Sequence, residues 1–380
     1  MPLLLLWFCL TLAALALPQP PRVVVISIDG LRPEFYLDPS WPAPNLQSLR
    51  QNGAWAESMQ SVFPSITYAN HSSLVTGVSP ARHGIDCNID FDWKTGPRLN
   101  WNWEAARLRQ PALWDLTRAA GLRSTAFSWP VSVGAPIDDN VPEIFSVAGA
   151  NVGTTEELLR LHSTQGLLEE IQQECSTPFP QTFAEWDQWL PTAFARVWTR
   201  RPADLTLIHM LNLDWTQHRF GPHSAETRQA LAELDRQLGQ IISLIRRQQD
   251  FLLVLGDHGF LEVTRNLSPN QLFYERGWIQ VKEGRIQSWK VYARSNGGSA
   301  AIYCKDDKLR AAVQRLLQRY QPSHWTILSQ LQLEERKTFT GAHWAISVRP
   351  GFGLSQGWEG PFEKATERPF GQHGHLPAAG

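Results

Sequence analysis

Three runs of apolar, largely β-branched residues constrain this chain more than anything else in it, because an aspartate closes each of them. Arg22 to Ile28 (RVVVISI) leads into Asp29, Leu205 to Leu213 (LTLIHMLNL) into Asp214, and Phe251 to Leu255 (FLLVL) into Gly256 and Asp257. A strand that is apolar on both sides needs cover on both faces, the situation of a parallel sheet held between helices. Ala225 to Arg247 supplies such a helix, with Leu231, Leu234, Leu238, Ile241, Ile242 and Ile245 at three- and four-residue intervals. The expected fold is α/β, with a central, mostly parallel sheet flanked by helices.

In open sheets of this kind, ligands bind beyond the carboxyl ends of the strands, so Asp29, Asp214 and Asp257 should share one crevice. His258 follows Asp257 directly, His218 lies four residues past Asp214, and His373 sits in Gly371-Gln372-His373-Gly374-His375. Carboxylates and imidazoles together suit a divalent metal, and the mixed oxygen and nitrogen donors favour zinc over manganese or iron. Six donors exceed what one tetrahedral zinc takes; shared between two ions, they leave each an open position. A strand-end aspartate alone is often just a helix cap. Two adjacent ionisable residues closing an apolar strand have no packing reason to be there.

Composition narrows the alternatives. The 380 residues are 43% hydrophobic with 35 basic against 36 acidic side chains, which describes a folded protein without the cationic stripe that duplex nucleic acid requires. No repeat or Gly/Ser linker divides the chain, so residues 22–380 read as a single domain with a smaller cap or insertion at roughly 261–356. Within that insertion, Trp289 to Arg294 and Ser299 to Tyr303 read as strands and Lys308 to Tyr320 as a helix. Leu3 to Leu17 is apolar yet short for a bilayer core of about 30 Å. Ala14-Leu15-Ala16 and the prolines beyond it give residues 1–16 the form of a signal peptide, so export is expected, with a signal anchor as the alternative. No second membrane segment follows. Cleavage would remove Cys9 and leave Cys87, Cys175 and Cys304, from which one disulfide at most can form.

The most specific stretch is Phe63 to Asn88, FPSITYANHSSLVTGVSPARHGIDCN. Together with SIDGLR at 27–32, DWTQHRFGP at 214–222, GDHG at 256–259 and GQHG at 371–374, it resembles the nucleotide pyrophosphatase/phosphodiesterase (type I phosphodiesterase) family of the alkaline phosphatase superfamily. The resemblance implies an alkaline-phosphatase-like fold, two zinc ions and Thr67 as nucleophile. One zinc would be held by Asp29, Asp257 and His258 and would bind Thr67; the other, held by Asp214, His218 and His373, would activate the water. Asn88 would hold a phosphate oxygen, and Tyr68 stands where relatives carry a substrate-stacking phenylalanine. A threonine hydroxyl is a poor nucleophile at its free pKa, and metal coordination is one of the few ways to activate it near neutral pH. Its competing role is to cap, with Ser65, the helix that begins near Tyr68.

The function expected is hydrolysis of phosphodiester or pyrophosphate bonds in nucleotide-like substrates through a phosphothreonine intermediate. A phosphomonoesterase or phosphonate hydrolase of the same superfamily is the nearest alternative. Gln217 where relatives usually carry glycine, His375 as a second candidate ligand beside His373, and only seven residues after His373 also leave a truncated, non-catalytic binding protein. Of 17 tryptophans, Trp93, Trp101 and Trp103 follow Asn88 closely enough to face a substrate, while His71, His83 and His209 read as structural.

Overall fold

The computed structural model describes residues 21–92, 96–146, 153–175, 178–246 and 249–377; the apolar segment at 1–17 and Trp93 lie outside them. Strands β1 (Val23–Ile28), β2 (Ser124–Phe127), β3 (Asp139–Val141), β4 (Leu205–Met210) and β5 (Phe251–Gly256) form one sheet in the order β3-β2-β4-β1-β5. Every pairing in it is parallel. The register sets Ile28 opposite both Met210 and Gly256, so the residues that follow β4, β1 and β5 emerge together at one end of the sheet.

Helices cover the sheet as the periodicity requires. Helix α1 (Thr67–Thr76), α2 (Phe183–Arg200), α3 (Asn212–Phe220) and α4 (Ala225–Leu244) frame the region of interest. In α4 the expected stripe of Leu231, Leu234, Leu238, Ile241 and Ile242 is buried, and Ser224 caps its first turn by accepting from the Thr227 N–H at 3.1 Å. Trp189, Leu190 and Phe194 of α2 join the same core as Ile26 and Ile208 of the sheet.

The apolar run at Leu205 to Leu213 is not one strand. It breaks after Met210, and Asn212 opens α3, so Asp214 and His218 sit on consecutive turns of a helix. The cause is Asp187, buried in α2, whose two carboxylate oxygens accept from the backbone N–H of Leu211 and of Asn212, each at 2.9 Å. Those donors are orphans of the helix start, and a carboxylate there also meets the positive end of the helix dipole. Burial pushes the Asp187 carboxyl up to about 7, against the pull of the two amides.

Residues 261–354 build a second core around a four-stranded antiparallel sheet, Val291–Ser295, Ser299–Cys304, Trp344–Val348 and Trp325–Ser329, with Tyr292, Ile302, Trp325 and Ile346 inside. The strand expected at Trp289 to Arg294 is split at Lys290, whose N–H turns away to bond the Trp278 carbonyl at 2.7 Å. Strand β6 (Leu261–Leu267) lies between Gly351–Leu354 and β7 (Glu363–Gln372), and β7 delivers the chain to His373. Cys87, Cys175 and Cys304 are free thiols. Among the described residues, no helix is long and apolar enough to cross a membrane.

Two stability predictions follow from buried polar groups. Asp187→Ala strands two buried N–H donors and should cost about 2–4 kcal/mol in urea denaturation, with no change in the m-value if the fold is kept. His83, fully buried with Nε2 2.9 Å from Ser73 Oγ, has its pKa pushed down to about 4 by burial. An unfolded histidine titrates near 6.5, so the folded state keeps this contribution above that pH and loses it as pH falls towards 4, by about 3 kcal/mol at most. Denaturation of metal-free protein across pH 7 to 4 should show that slope, and His83→Gln should flatten part of it.

Candidate active site and metal centre

The sheet register and the α3 start bring Asp29, Thr67, Asp214, His218, Asp257, His258 and His373 to one place. His258 Nε2 lies 3.2 Å from Asp29 Oδ1, 3.3 Å from Asp257 Oδ2 and 3.3 Å from Thr67 Oγ1. A tetrahedral ion with bonds of about 2.0 Å has ligand-to-ligand edges of about 3.3 Å. Asp29 Oδ1 and Asp257 Oδ2 are buried and have no hydrogen-bond partner. The other Asp257 oxygen is occupied, accepting from the N–H of Gly30 at 3.1 Å and of His258 at 2.9 Å. The donor set therefore fits a cation.

A second group adjoins it. Asp214 Oδ1, also without a hydrogen-bond partner, lies 3.6 Å from His218 Nε2 and 3.8 Å from His373 Nε2. Both imidazoles turn Nδ1 to a backbone carbonyl, His218 to Gly371 and His373 to Ser65, each at 3.1 Å. Such a bond keeps the proton on Nδ1 and leaves Nε2 as a lone pair, the arrangement found behind metal-bound histidines. His258 and His373 stack face to face with centroids 3.7 Å apart, joining the two groups. Gly374 makes this turn possible: its φ is +93°, and a Cβ there would fall 1.9 Å from the Asn296 carbonyl oxygen. His375 sits against Gly298; the donors gathered most closely around Asp214 are those of His258 and His373, and His218 faces Asp214 at their margin.

Electrostatics point the same way. Burial, then the charges of Asp214 and Asp257, push the Asp29 carboxyl well above its usual range. Burial would raise Asp257 too, but His258, His71 and His209 outweigh it and bring that carboxyl below its usual value. Burial, with His258 and His218 alongside, holds His373 well below the ordinary imidazole range, hence neutral. Crowded carboxylates beside a neutral His373 call for a cation.

Thr67 is the first residue of α1, and its hydroxyl caps nothing: the N-cap is Ile66, without a side-chain cap bond. The capping is done from a distance by Asn88, whose Oδ1 accepts from the Tyr68 N–H at 3.1 Å. Thr67 and Asn88 face a cavity of about 620 Å³. Its wall carries Trp101, Phe145, Phe183 and Trp215 in an edge-to-face series, with successive centroids 4.9, 5.9 and 5.5 Å apart. Tyr68 does not line this cavity; it is fully buried with its ring 5.4 Å from Trp101, and Trp101 takes the cavity face. Trp103 is buried behind it. No lining residue comes from 261–356, which instead seats the His373 turn.

His71 and His209, read from the sequence as structural, stand close to the site. Both are fully buried directly behind the first metal group, with ring centroids 4.2 Å apart. His71 Nδ1 lies 2.8 Å from the Thr67 carbonyl, and burial, then the His209 charge, press its pKa down to about 3. Burial would also lower His209, but Asp29 and Glu143 outweigh it and raise that imidazole well above the usual value. Gln217 bonds the Gly30 carbonyl through Nε2 at 2.9 Å, tying α3 to the turn that carries Asp29.

Residues 23–376 match the sequence model of the family described as type I phosphodiesterase / nucleotide pyrophosphatase. A venom phosphodiesterase of Macrovipera lebetinus is 28% identical over 256 residues, 64% of this chain and 26% of the venom protein. Ectonucleotide pyrophosphatase/phosphodiesterase family member 7 of Rattus norvegicus is 24% identical over 321 residues, 77% of this chain and 65% of its own length. The chain thus spans about a quarter of the length of the venom enzymes it matches. In fold it is similar to phosphonoacetate hydrolase from Sinorhizobium meliloti 1021 in complex with phosphonoacetate, with a TM-score of 0.70 at 20% identity over 94% of this chain and 88% of that one. It is also similar to inactive murine ectonucleotide pyrophosphatase/phosphodiesterase 5 in complex with AMP, with a TM-score of 0.64 at 22% identity over 94% and 85% of the two chains.

The geometry separates the two C-terminal histidines. His373→Ala should remove one of two equivalents of bound divalent metal, read by inductively coupled plasma mass spectrometry after gel filtration. His375→Gln should leave both in place; the reverse pattern would move the ligand role to His375.

Proposed function

Because the chain belongs to the type I phosphodiesterase/nucleotide pyrophosphatase family, we propose that it is an exported two-zinc hydrolase of phosphodiester or pyrophosphate bonds in nucleotide-like substrates. The observation that carries this reading is the Thr67 hydroxyl, 3.3 Å from His258 Nε2 at the edge of a buried tetrahedral donor set and open to an aromatic-walled cavity. Asp29, Asp257, His258 and Thr67 would hold one zinc, and Asp214, His218 and His373 the other. When bound, zinc would lower the pKa of the threonine hydroxyl and offset the charge that builds on the transferring phosphoryl group.

The protein's own groups do the rest. Thr67 Oγ1, its proton released to solvent, attacks phosphorus; its bond forms as the P–O bond to the leaving oxygen breaks, the leaving group departs with that bonding pair and takes a proton from solvent, and the product on the protein is a phosphothreonine ester. The N-terminus of α1 directs its free amides and positive dipole end at the phosphate. Asn88, its Oδ1 committed to Tyr68, keeps its amide N–H groups free to donate to a phosphate oxygen, where charge develops. Water then displaces threonine from phosphorus, releasing the phosphate product and restoring the hydroxyl.

A cavity of about 620 Å³ is within the range of small-molecule sites and walled by rings, which favours a phosphate ester whose organic group carries a ring over a small phosphonate; the choice between diester and monoester is left to the assay. An aromatic face suits a nucleoside base. Export rests on the form of residues 1–16. Residues 22–380 act as one catalytic domain in this reading, with 261–356 as a buttress for the His373 turn.

Hydrolysis of bis-(4-nitrophenyl) phosphate and 4-nitrophenyl phosphate, side by side, tests the proposal. Chelator should abolish turnover, zinc should restore it, and the diester should be preferred. Thr67→Ala should fall to background while remaining folded. Preference for the monoester moves the function to a phosphatase, and no turnover of either by the zinc-loaded protein sinks the enzyme reading.

A further inference from the structure

Asp29 has two carboxylate oxygens in different surroundings. Oδ1 faces the first metal group, 3.2 Å from His258 Nε2, while Oδ2 faces the opposite way, 3.2 Å from His209 Nε2. That approach to His209 is an ion-pair contact without hydrogen-bond geometry, whereas the far side of the His209 ring is hydrogen-bonded: Nδ1 lies 2.8 Å from Glu143 Oε2 and 3.1 Å from the Ser128 carbonyl. His209 is fully buried, and Asp29 and Glu143 are each 4% exposed. The turn that follows β2 is shaped around this contact. Ser128 and Val131 both take positive φ, 54° and 56°, although neither is glycine and Val131 is β-branched. Backbone strain of that kind persists only where the surroundings over-determine it, and it clusters at functional sites. Here the strained turn presents the Ser128 carbonyl to His209, and the Glu143 N–H bonds the neighbouring Trp129 carbonyl.

We propose that His209 is a positioning residue for the first metal site: braced by Glu143, it holds Asp29 Oδ2 so that Asp29 meets the ion through Oδ1 alone. Without it, a buried carboxylate is free to turn and offer both oxygens, and the seat shared with Thr67 loses its shape. Partners behind a metal ligand commonly matter 10- to 100-fold, in affinity or in activity.

One competing role is direct ligation, since His71, His209 and Asp257 also gather close enough to hold an ion. The atoms that would ligate, His71 Nε2, Asp257 Oδ2 and His209 Nε2, are all buried without a hydrogen-bond partner. What favours positioning is that His209 has a carboxylate beside each nitrogen, Asp29 Oδ2 3.2 Å from Nε2 and Glu143 Oε2 2.8 Å from Nδ1, and a third metal equivalent is the outcome that separates the two roles.

The inference rests on the two-metal reading above, and zinc binding separates the two. Zinc is titrated into metal-free wild type, His209→Ala, His209→Gln and Glu143→Gln against a chromophoric chelator, with folding followed by circular dichroism. Wild type should take two equivalents. In His209→Ala one site should weaken about 10- to 100-fold while the other keeps its affinity, and kcat should fall with little change in KM. His209→Gln, which keeps one donor for Asp29, should recover part of both. Wild-type affinity at both sites in folded His209→Ala overturns the positioning role, and so does a third equivalent in wild type that His209→Ala loses. If His209→Ala does not fold, Glu143→Gln carries the comparison, with weakening confined to one site expected and unchanged affinity at both overturning the proposal. A wild type that binds no zinc defeats the two-metal reading and this inference together.

Discussion

Everything around this site answers to one difficulty: Asp29 and Asp257 converge in the interior, with the half-buried Asp214 beside them at the cavity wall. The parallel register forces it, because aligning Ile28 with Met210 and Gly256 brings the following residues to one end of the sheet. Removing several carboxylates from water together is costly unless positive charge lies among them. The chain supplies only imidazoles at that spot, and two of them, His218 and His373, turn Nδ1 to backbone carbonyls and present Nε2 as a lone pair. The site is thus poised to take a cation, and much of the neighbouring structure keeps its donors from relaxing into something more comfortable without one.

That restraint comes from three directions. Asp187 fixes where α3 begins and so the turn of helix on which Asp214 and His218 stand. The 261–354 core fixes His373 through the close approach of Gly374 to Asn296, which admits no side chain. Gln217 ties α3 to the Gly30 turn. Each device joins segments far apart in sequence, so the cluster exists only when both cores have formed. Loss of one donor and loss of local folding are then hard to separate by activity alone, and metal binding is the more direct readout of the geometry.

How much of this was legible in the sequence varied with how local the cause is. β1 was readable because burial on both faces leaves a continuous apolar run in a single segment; β5 has the same apolar run, but it is the edge strand and leaves Phe251 and Leu253 exposed, so the expectation of cover on both faces fails there. The α4 stripe was readable from its period. The overlong strand at Leu205 to Leu213 was not corrected by anything nearby, since the group that ends it sits in another helix more than twenty residues upstream. The histidines show the same limit. His218, His258 and His373 stood next to turns, glycines or aspartates that marked them. His209, in the middle of an apolar strand, read as core, and only the fold reveals Asp29 on one side of it and Glu143 on the other. A polar residue inside a strand buried on both faces was the available signal, and composition alone gives it no direction.

The same distinction bears on Thr67. A threonine at a helix start invites a capping role, and sequence cannot decide between a cap and a nucleophile, because both need the residue at the same place. Three dimensions separate them by supplying the cap from elsewhere. With Asn88 accepting from the Tyr68 N–H, the helix start is partly satisfied, and Thr67 Oγ1 is left facing His258. Asn88 is thereby fixed with its amide N–H groups towards the cavity, since its oxygen is already used. One hydrogen bond thus frees the hydroxyl and orients the donor, and it places both at the N-terminus of α1 where a phosphate is favoured.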